Sequence, residues 1–292
     1  MHLETKSFCK VNLLLNILGR RADGFHELET ILHPVSLHDY LTLARTGHGI
    51  DLSCSEAGLP ADAQNLVHRA ATAFLQAAKI KEGVKIHLEK KIPLAAGLGG
   101  GSGNAATTLL ALNELFGQPL SPAMLAGLAA TLGSDVPFFL QNQPALATGR
   151  GEIIQPLDFF PILRGKAWLL IHPGFGVSTA WAYQALARFP AALNGRPGRA
   201  QQLISQLQTS QGPAIGAGLY NSLEAPVLEK YPVLALYQEF LRANGALAAL
   251  MSGSGSTTFA IAENAAAGES LVEKFKSQFG RNCWTAVVPV TG

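Results

Sequence analysis

The chain has 292 residues, of which 48% are hydrophobic and only 14% charged, and its formal net charge is +2. A charged share well under the usual ~25% leaves ample apolar material for one large or two medium domains and excludes an intrinsically disordered chain. The near-neutral balance excludes a broad basic surface for nucleic acid, so any anion site is local, built from a few cations or from backbone N–H groups.

Three cysteines, Cys9, Cys54 and Cys283, are too few and too far apart for a disulfide framework or a CxxC metal site, which fits a reducing, cytoplasmic setting. The first ten residues carry no apolar run behind a basic stretch and do not read as a signal peptide. Stretches 92–113, 115–134 and 167–187 are uncharged, but glycines, prolines or polar residues interrupt each of them. A membrane span needs roughly 20 predominantly apolar residues, so the three read as buried parts of a protein with no membrane partner.

Residues 10–17 alternate, with Val11, Leu13, Leu15 and Ile17 on one face and Lys10, Asn12, Leu14 and Asn16 on the other, the pattern of a strand. Residues 19–24 form a turn by composition, led by Asp23-Gly24. A second strand is expected over 25–35, and short strands over 40–43 and 50–54. An amphipathic helix spans 65–79, and alternation at Val84, Ile86 and Leu88 marks another strand. Ala- and Leu-rich helices follow over 104–116 and 122–132. The pattern restarts after about residue 155 with a strand at 167–171, helices, a strand at 246–251, a glycine-serine turn, a strand at 257–262, a helix at 265–279 and a strand at 285–290. The class is α+β, with a boundary near 155–165 that gives domains 1–158 and 159–292.

Between the strand at 84–88 and the helix at 104–116 lies Gly97-Leu98-Gly99-Gly100-Gly101-Ser102-Gly103. Glycines let the backbone approach an anion and adopt positive φ, and a following helix aims free N–H groups at that anion. Ser102 offers a hydroxyl to a phosphate oxygen or to Mg²⁺, and Asn104 is placed to cap the helix. A plain turn is the bland alternative, but five glycines in seven positions are costly in backbone entropy. A Walker loop needs a lysine that is absent here. The dinucleotide pattern at residues 101–106 lacks the acidic residue about 20 positions on. Asp135, in Gly133-Ser134-Asp135-Val136-Pro137, is the sole charged residue between Glu114 and Arg150. An isolated carboxylate in an apolar stretch is paired or functional. Lys10, on the polar side of its strand, is the natural partner that would keep it ionised.

Lys10-Val11-Asn12-Leu13, the segment Gly19-Arg20-Arg21-Ala22-Asp23-Gly24-Phe25-His26-Glu27-Leu28, residues 93–106, Leu132-Gly133-Ser134-Asp135-Val136-Pro137-Phe138-Phe139 and Ser252-Gly253-Ser254-Gly255 together resemble the GHMP kinase superfamily. The resemblance runs in order along nearly the whole chain. It is closest to the branch that phosphorylates the 2-hydroxyl of a cytidylated methylerythritol in the non-mevalonate route to isoprenoids. It implies a ribosomal-S5-like N-terminal ATP-binding domain and a ferredoxin-like C-terminal domain, whose last strand is a candidate to return to the first. It also implies ATP and Mg²⁺, a small-molecule substrate, and a monomer or weak homodimer. By position, Lys10 and Asp135 match the catalytic residues. Pro93, Leu94, Ala95, Ala96, Gly97, Leu98, Gly99, Gly100, Gly101, Ser102 and Gly103 match the ATP loop, with Asn65 on the adenine side and Ser102 the metal-side hydroxyl. Asn12, Phe25, His26, Thr179 and Tyr183 match positions that hold the cytidyl substrate, with Tyr183 stacking on the base. The chain departs from the family pattern at Ser7-Phe8-Cys9, at Phe25 in place of a tyrosine, at Ala95 and Ala96 in place of glycines, at Gly103 in place of a serine and at Ser222 in place of an aspartate. Another GHMP kinase, a non-catalytic nucleotide-binding regulator and a dinucleotide oxidoreductase are the rival readings.

Overall fold

A computed structural model describes residues 2–209 and 215–291. The chain falls into two compact units that interleave along the sequence. One comprises the segments up to Cys9, Leu37–Pro93 and Gly99–Asn142; the other comprises Lys10–Ser36, Leu94–Leu98 and the chain from Gln143 on. No single cut near residue 158 separates them, because the first two strands are long and each contributes to both units. Strand β1 (His2–Arg20) and strand β2 (His26–Thr46) are sheet neighbours. The sequence suggests two strands where β2 runs unbroken. β2 changes partner along its length, and Pro34, which has no N–H to give to a ladder, lies between the two paired stretches.

In the first unit, residues 40–46 of β2 pair antiparallel with β4 (Gly83–Glu89), and β4 pairs parallel with β3 (Ile50–Cys54). Helices α1 (Leu66–Ala77), α2 (Gly100–Leu115) and α3 (Pro122–Leu132) complete its core with Phe74, Leu109, Leu112 and Val136. Helix α2 begins four residues before the start that composition suggests. Glycine opposes helix by about 1 kcal/mol per residue, so the first turn forms through packing and not propensity.

In the second unit, residues 28–32 of β2 pair with β5 (Ala145–Gly149), which pairs with β6 (Ile153–Pro156). A second sheet contains β7 (Ala167–His172), β9 (Ala248–Met251), β10 (Thr258–Ala262) and β11 (Trp284–Pro289) in the order β11-β7-β10-β9. That is the 4-1-3-2 order of a ferredoxin-like sheet. β11 pairs with β7 over its whole length, so the last strand stays in this sheet and does not return to the other. The short strand β8 (Tyr220–Asn221) pairs parallel with β1. Between β7 and β9 the chain also forms α4 (Thr179–Ala185), α5 (Pro190–Leu193), α6 (Arg199–Gln208), α7 (Glu224–Lys230) and α8 (Val233–Ala243), and α9 (Ala265–Phe279) follows β10. Their apolar faces share one core that includes Leu169, Ile171, Leu234, Leu241 and Phe275. No helix among the described residues is long and apolar enough to cross a membrane.

His33 sits wholly buried in this unit among Phe159, Phe160 and Trp168. Its Nδ1–H donates to the Pro34 carbonyl at 2.8 Å, and burial pushes its pKa down to about 4. A histidine pKa lowered on folding supplies stability above the unfolded value of ~6.5 and loses it as pH falls toward the folded value. We therefore expect up to about 3 kcal/mol of stability to be lost between pH 6.5 and pH 4. Denaturant unfolding at a series of pH values checks this, and His33→Phe should flatten that part of the profile.

Candidate active site

Lys10 stands where β1 passes into the second unit, and its environment is not a solvated strand face. The residue is 2% exposed. Its ammonium donates to Asn12 Oδ1 at 2.5 Å and to the Gly97 carbonyl at 2.8 Å, and its amide donates to the Leu98 carbonyl at 3.0 Å. Asn12 is equally buried and passes the connection on, donating from Nδ2 to Thr30 Oγ1 at 2.9 Å. Thr30 in turn donates to the Leu14 carbonyl. A buried charge is tolerable only where acceptors meet it, and here a side-chain oxygen and a backbone carbonyl do so.

The second glycine-serine turn, between β9 and β10, converges on the same carbonyl. Ser252 Oγ donates to Gly97 O at 3.0 Å and Thr257 N donates to Ala96 O at 3.2 Å. A Cβ on Gly97 would lie 2.1 Å from Ser252 O, and one on Gly253 would lie 3.2 Å from the Lys10 ammonium. Gly97 has φ 77° and Gly253 φ 58°, so both need glycine for backbone shape as well as for space. Asn221 holds the turn in place. Its Nδ2 donates to the carbonyls of Met251 and Gly253, each at 2.8 Å, while its Oδ1 accepts from Leu223 N.

The segment then enters α2 through Gly99, which has φ 70°. Gly103 N donates to Gly99 O, so Gly100, Gly101 and Ser102 carry the first-turn amides that a helix leaves without internal partners. Those amides and the helix dipole suit an anionic group. Gly101 packs against Leu66, one residue past Asn65. Asn65 caps α1, accepting from Val67 N at 3.0 Å and donating to Pro60 O at 2.8 Å.

In the second unit the turn at 21–25 and helix α4 bring two rings together. His26 and Tyr183 have centroids 5.1 Å apart at 39°. Burial, with a smaller contribution from the charge of Arg20, lowers the His26 pKa and so favours the neutral imidazole, a form able both to give and to take a hydrogen bond. Thr179, one helical turn before Tyr183 on α4, shares a 2.9 Å hydrogen bond with Ser254. Phe25 is 51% exposed, with the Arg150 guanidinium 4.7 Å from its ring centroid.

Family models match at both ends of this arrangement: the GHMP kinases N terminal domain over residues 65–143 and the GHMP kinases C terminal domain over residues 189–281. The chain is 44% identical over 259 residues to a 4-diphosphocytidyl-2-C-methyl-D-erythritol kinase of Synechococcus sp. (strain JA-3-3Ab), covering 86% of this chain and 82% of that protein. The chain belongs to the 4-diphosphocytidyl-2-C-methyl-D-erythritol kinase family of GHMP kinases. The family member of Syntrophotalea carbinolica is 39% identical and is matched over 96% of both chains. A crystal structure of 4-(cytidine 5'-diphospho)-2C-methyl-D-erythritol kinase superposes with TM-score 0.78 at 35% identity, over 99% of this chain and 100% of that one. Homoserine kinase from Cytophaga hutchinsonii shares the fold with TM-score 0.77 at 20% identity.

Within this GHMP kinase, Lys10, Asn12, Phe25, His26, the segment 94–98, Thr179 and Tyr183 all belong to the second unit, whereas Asn65, Pro93, residues 99–103 and Asp135 belong to the first. Asp135 follows α3 in a turn where Val136 N bonds to Gly133 O, and it is partly exposed. One sequence assignment needs correction. Asn104 does not cap α2: it lies in the second turn, and its side-chain amide donates to Ser7 Oγ and Asp39 Oδ2, both at 2.9 Å. Asn12 Oδ1 accepts from Lys10 and its Nδ2 donates to Thr30, which places its side chain beside the lysine.

Sequence reasoning missed Asp39, Lys90 and Asn221. An aspartate inside an apolar strand run was the available signal for the first, since aspartate is depleted in strands. No group of three or more His, Cys, Asp or Glu among the described residues is arranged to hold a metal ion. Ser102, partly buried in the first turn of α2, fits only as one ligand to a metal carried by an anion.

Gly103 stands where the family pattern has serine, and its surroundings explain the difference. A Cβ there would lie 2.5 Å from the Phe8 carbonyl and 3.2 Å from Ser7 Oγ. The nearest contact is backbone and cannot rotate away. Gly103→Ser should therefore destabilise the protein by roughly 1–3 kcal/mol and leave catalysis of the folded fraction without gain, as measured by denaturant unfolding beside steady-state turnover.

Proposed function

We propose that this chain transfers the γ-phosphoryl group of ATP to the 2-hydroxyl of 4-diphosphocytidyl-2-C-methyl-D-erythritol, a step of non-mevalonate isoprenoid precursor synthesis. The observation that carries the choice of substrate is the His26–Tyr183 pair at 5.1 Å, a ring for stacking and a polar edge for reading a base, in the same unit as Lys10. Relatives named for this activity support it at 44% and 39% identity.

The roles follow from the chemistry of each side chain. Asp135 takes the proton of the acceptor hydroxyl as the oxygen attacks phosphorus. Lys10, held by Asn12 and Gly97, presents a fixed cation to the negative charge of the transferring group. The amides of residues 100–102 bind phosphate oxygens, with Asn65 on the adenine side. Tyr183 stacks on cytosine, neutral His26 bonds to its edge, and Thr179 and Phe25 border it. The Ser102 hydroxyl would hold Mg²⁺ bound with the triphosphate, and the ion would supply charge neutralisation. Catalysis of this class is mostly positioning and electrostatic stabilisation.

Turnover of the cytidylated alcohol should exceed that of homoserine, mevalonate and other alcohols in a side-by-side assay, and equal turnover of any of these would sink the assignment. Asp135→Asn should lower kcat by about 10²–10⁴-fold with ATP binding largely kept. Near-full turnover in that variant, with chemistry rate-limiting, would remove Asp135 as the base. Lys10→Ala should also lower kcat, and Tyr183→Ala should act chiefly on KM for the cytidylated substrate, as read from steady-state kinetics with each substrate varied in turn.

A further inference from the structure

Asp39 is 0% exposed on β2 and collects four hydrogen-bond donors within the first unit. Its Oδ1 accepts the backbone amides of Lys91 at 2.7 Å and Ile92 at 2.9 Å. Its Oδ2 accepts the Lys90 ammonium and the Asn104 side-chain amide, the latter at 2.9 Å. Lys90 closes the ring by donating to Asn104 Oδ1 at 3.2 Å. The first three donors belong to the chain leaving β4, immediately before Pro93. The fourth belongs to the second turn of α2, immediately after Gly103. The glycine segment is therefore a loop whose two ends are tied to one carboxylate.

A buried ion pair is weak grounds for stability, since the desolvation of two charges offsets most of their attraction. Its arrangement here is better suited to fixing geometry. The Lys90 ammonium lies 3.3 Å from where a Cβ on Gly100 would stand, and Ile92 Cγ2 lies 3.1 Å from the same point. Moving the strand exit would thus push directly on the first residue of α2. A cation at a helix N-terminus opposes the helix dipole, and Asp39 compensates that charge. We propose that Asp39 is a positioning residue for the nucleotide: it sets the distance and angle between the strand that enters the glycine segment and the helix whose first-turn amides receive phosphate. This rests on the reading of residues 93–103 as the ATP loop.

The test measures binding by calorimetry, with β,γ-imido-ATP and the cytidylated alcohol titrated separately, alongside the thermal midpoint. Asp39→Asn keeps one acceptor oxygen but loses the charge. It should weaken the ATP analogue by about tenfold or more, because small misplacements of a positioned group are costly, and leave the cytidylated alcohol within about twofold. The paired variant D39N/K90M removes the stranded ammonium and should recover the thermal midpoint but not the nucleotide affinity. Recovery of both together would reduce Asp39 to a stability role and overturn the proposal, as would unchanged analogue binding in a folded variant. Equal weakening of both ligands would overturn it too. If the wild-type protein binds the analogue but does not phosphorylate the cytidylated alcohol, the substrate assignment fails while the inference about Asp39 is still decided by the variants.

Discussion

The Gly97 carbonyl takes a hydrogen bond from the Lys10 ammonium and another from the Ser252 hydroxyl. Both depend on the absence of a side chain at Gly97, whose Cβ would overlap the Ser252 carbonyl at 2.1 Å. One backbone oxygen thereby orders three segments that are far apart in sequence: the strand carrying Lys10, the segment 94–98, and the turn between β9 and β10. Asn221 adds the second restraint on that turn through two more carbonyls. Lysine has long rotamer freedom when exposed, and here burial and two acceptors remove it. A cation fixed in this way gains in electrostatic effect because no reorganisation is needed at the moment of reaction.

The departures from the family pattern acquire physical meaning in this setting. Gly103 is a contact residue, since α2 lies so close to β1 at the Phe8 carbonyl that a side chain does not fit. Ser222, where aspartate is common, still supplies an acceptor: its hydroxyl receives the Ile17 amide at 3.0 Å in a fully buried position. Ala95 adopts φ 50°, a left-handed conformation that costs an L-residue about 1–2 kcal/mol. Its methyl group lies against Gly176, where a Cβ would approach it to 2.6 Å. Gly176 therefore leaves the space that the Ala95 methyl group occupies.

Much of the candidate site was legible because its residue types are chemically costly where they stand. Five glycines between a strand and a helix and a lone aspartate in an apolar stretch signal function before any contact is known, and the Gly-Arg-Arg-Ala-Asp-Gly-Phe-His run points to it by its resemblance to the GHMP kinase pattern. The neighbouring Thr179 and Tyr183 fall on one helix face by spacing. Asp39 and Lys90 were illegible because fifty-one residues separate them and neither stands in a motif. Asn221 stood in a recognised segment, but its two hydrogen bonds go to carbonyls about thirty residues away, and backbone acceptors leave no trace in composition.

Secondary structure, the glycine segment, the chemical cast of the site and the family pattern were determined by local order along the chain, since periodicity, turn residues and motif spacing are local properties. Where the strands and the helix begin and end was decided by packing. β2 runs through Pro34 because it pairs on either side of it, and α2 starts at Gly100 because close contacts outweigh glycine's poor helix propensity. The division into units was likewise tertiary: residues 10–36 join the C-terminal part of the chain because their side chains share its core, including Leu15, Ile17 and Leu28. Contacts between distant residues have no periodicity to read, so the buried state of Lys10, the closed ring around Asp39 and the space that forbids a serine at residue 103 emerge only once the chain is folded.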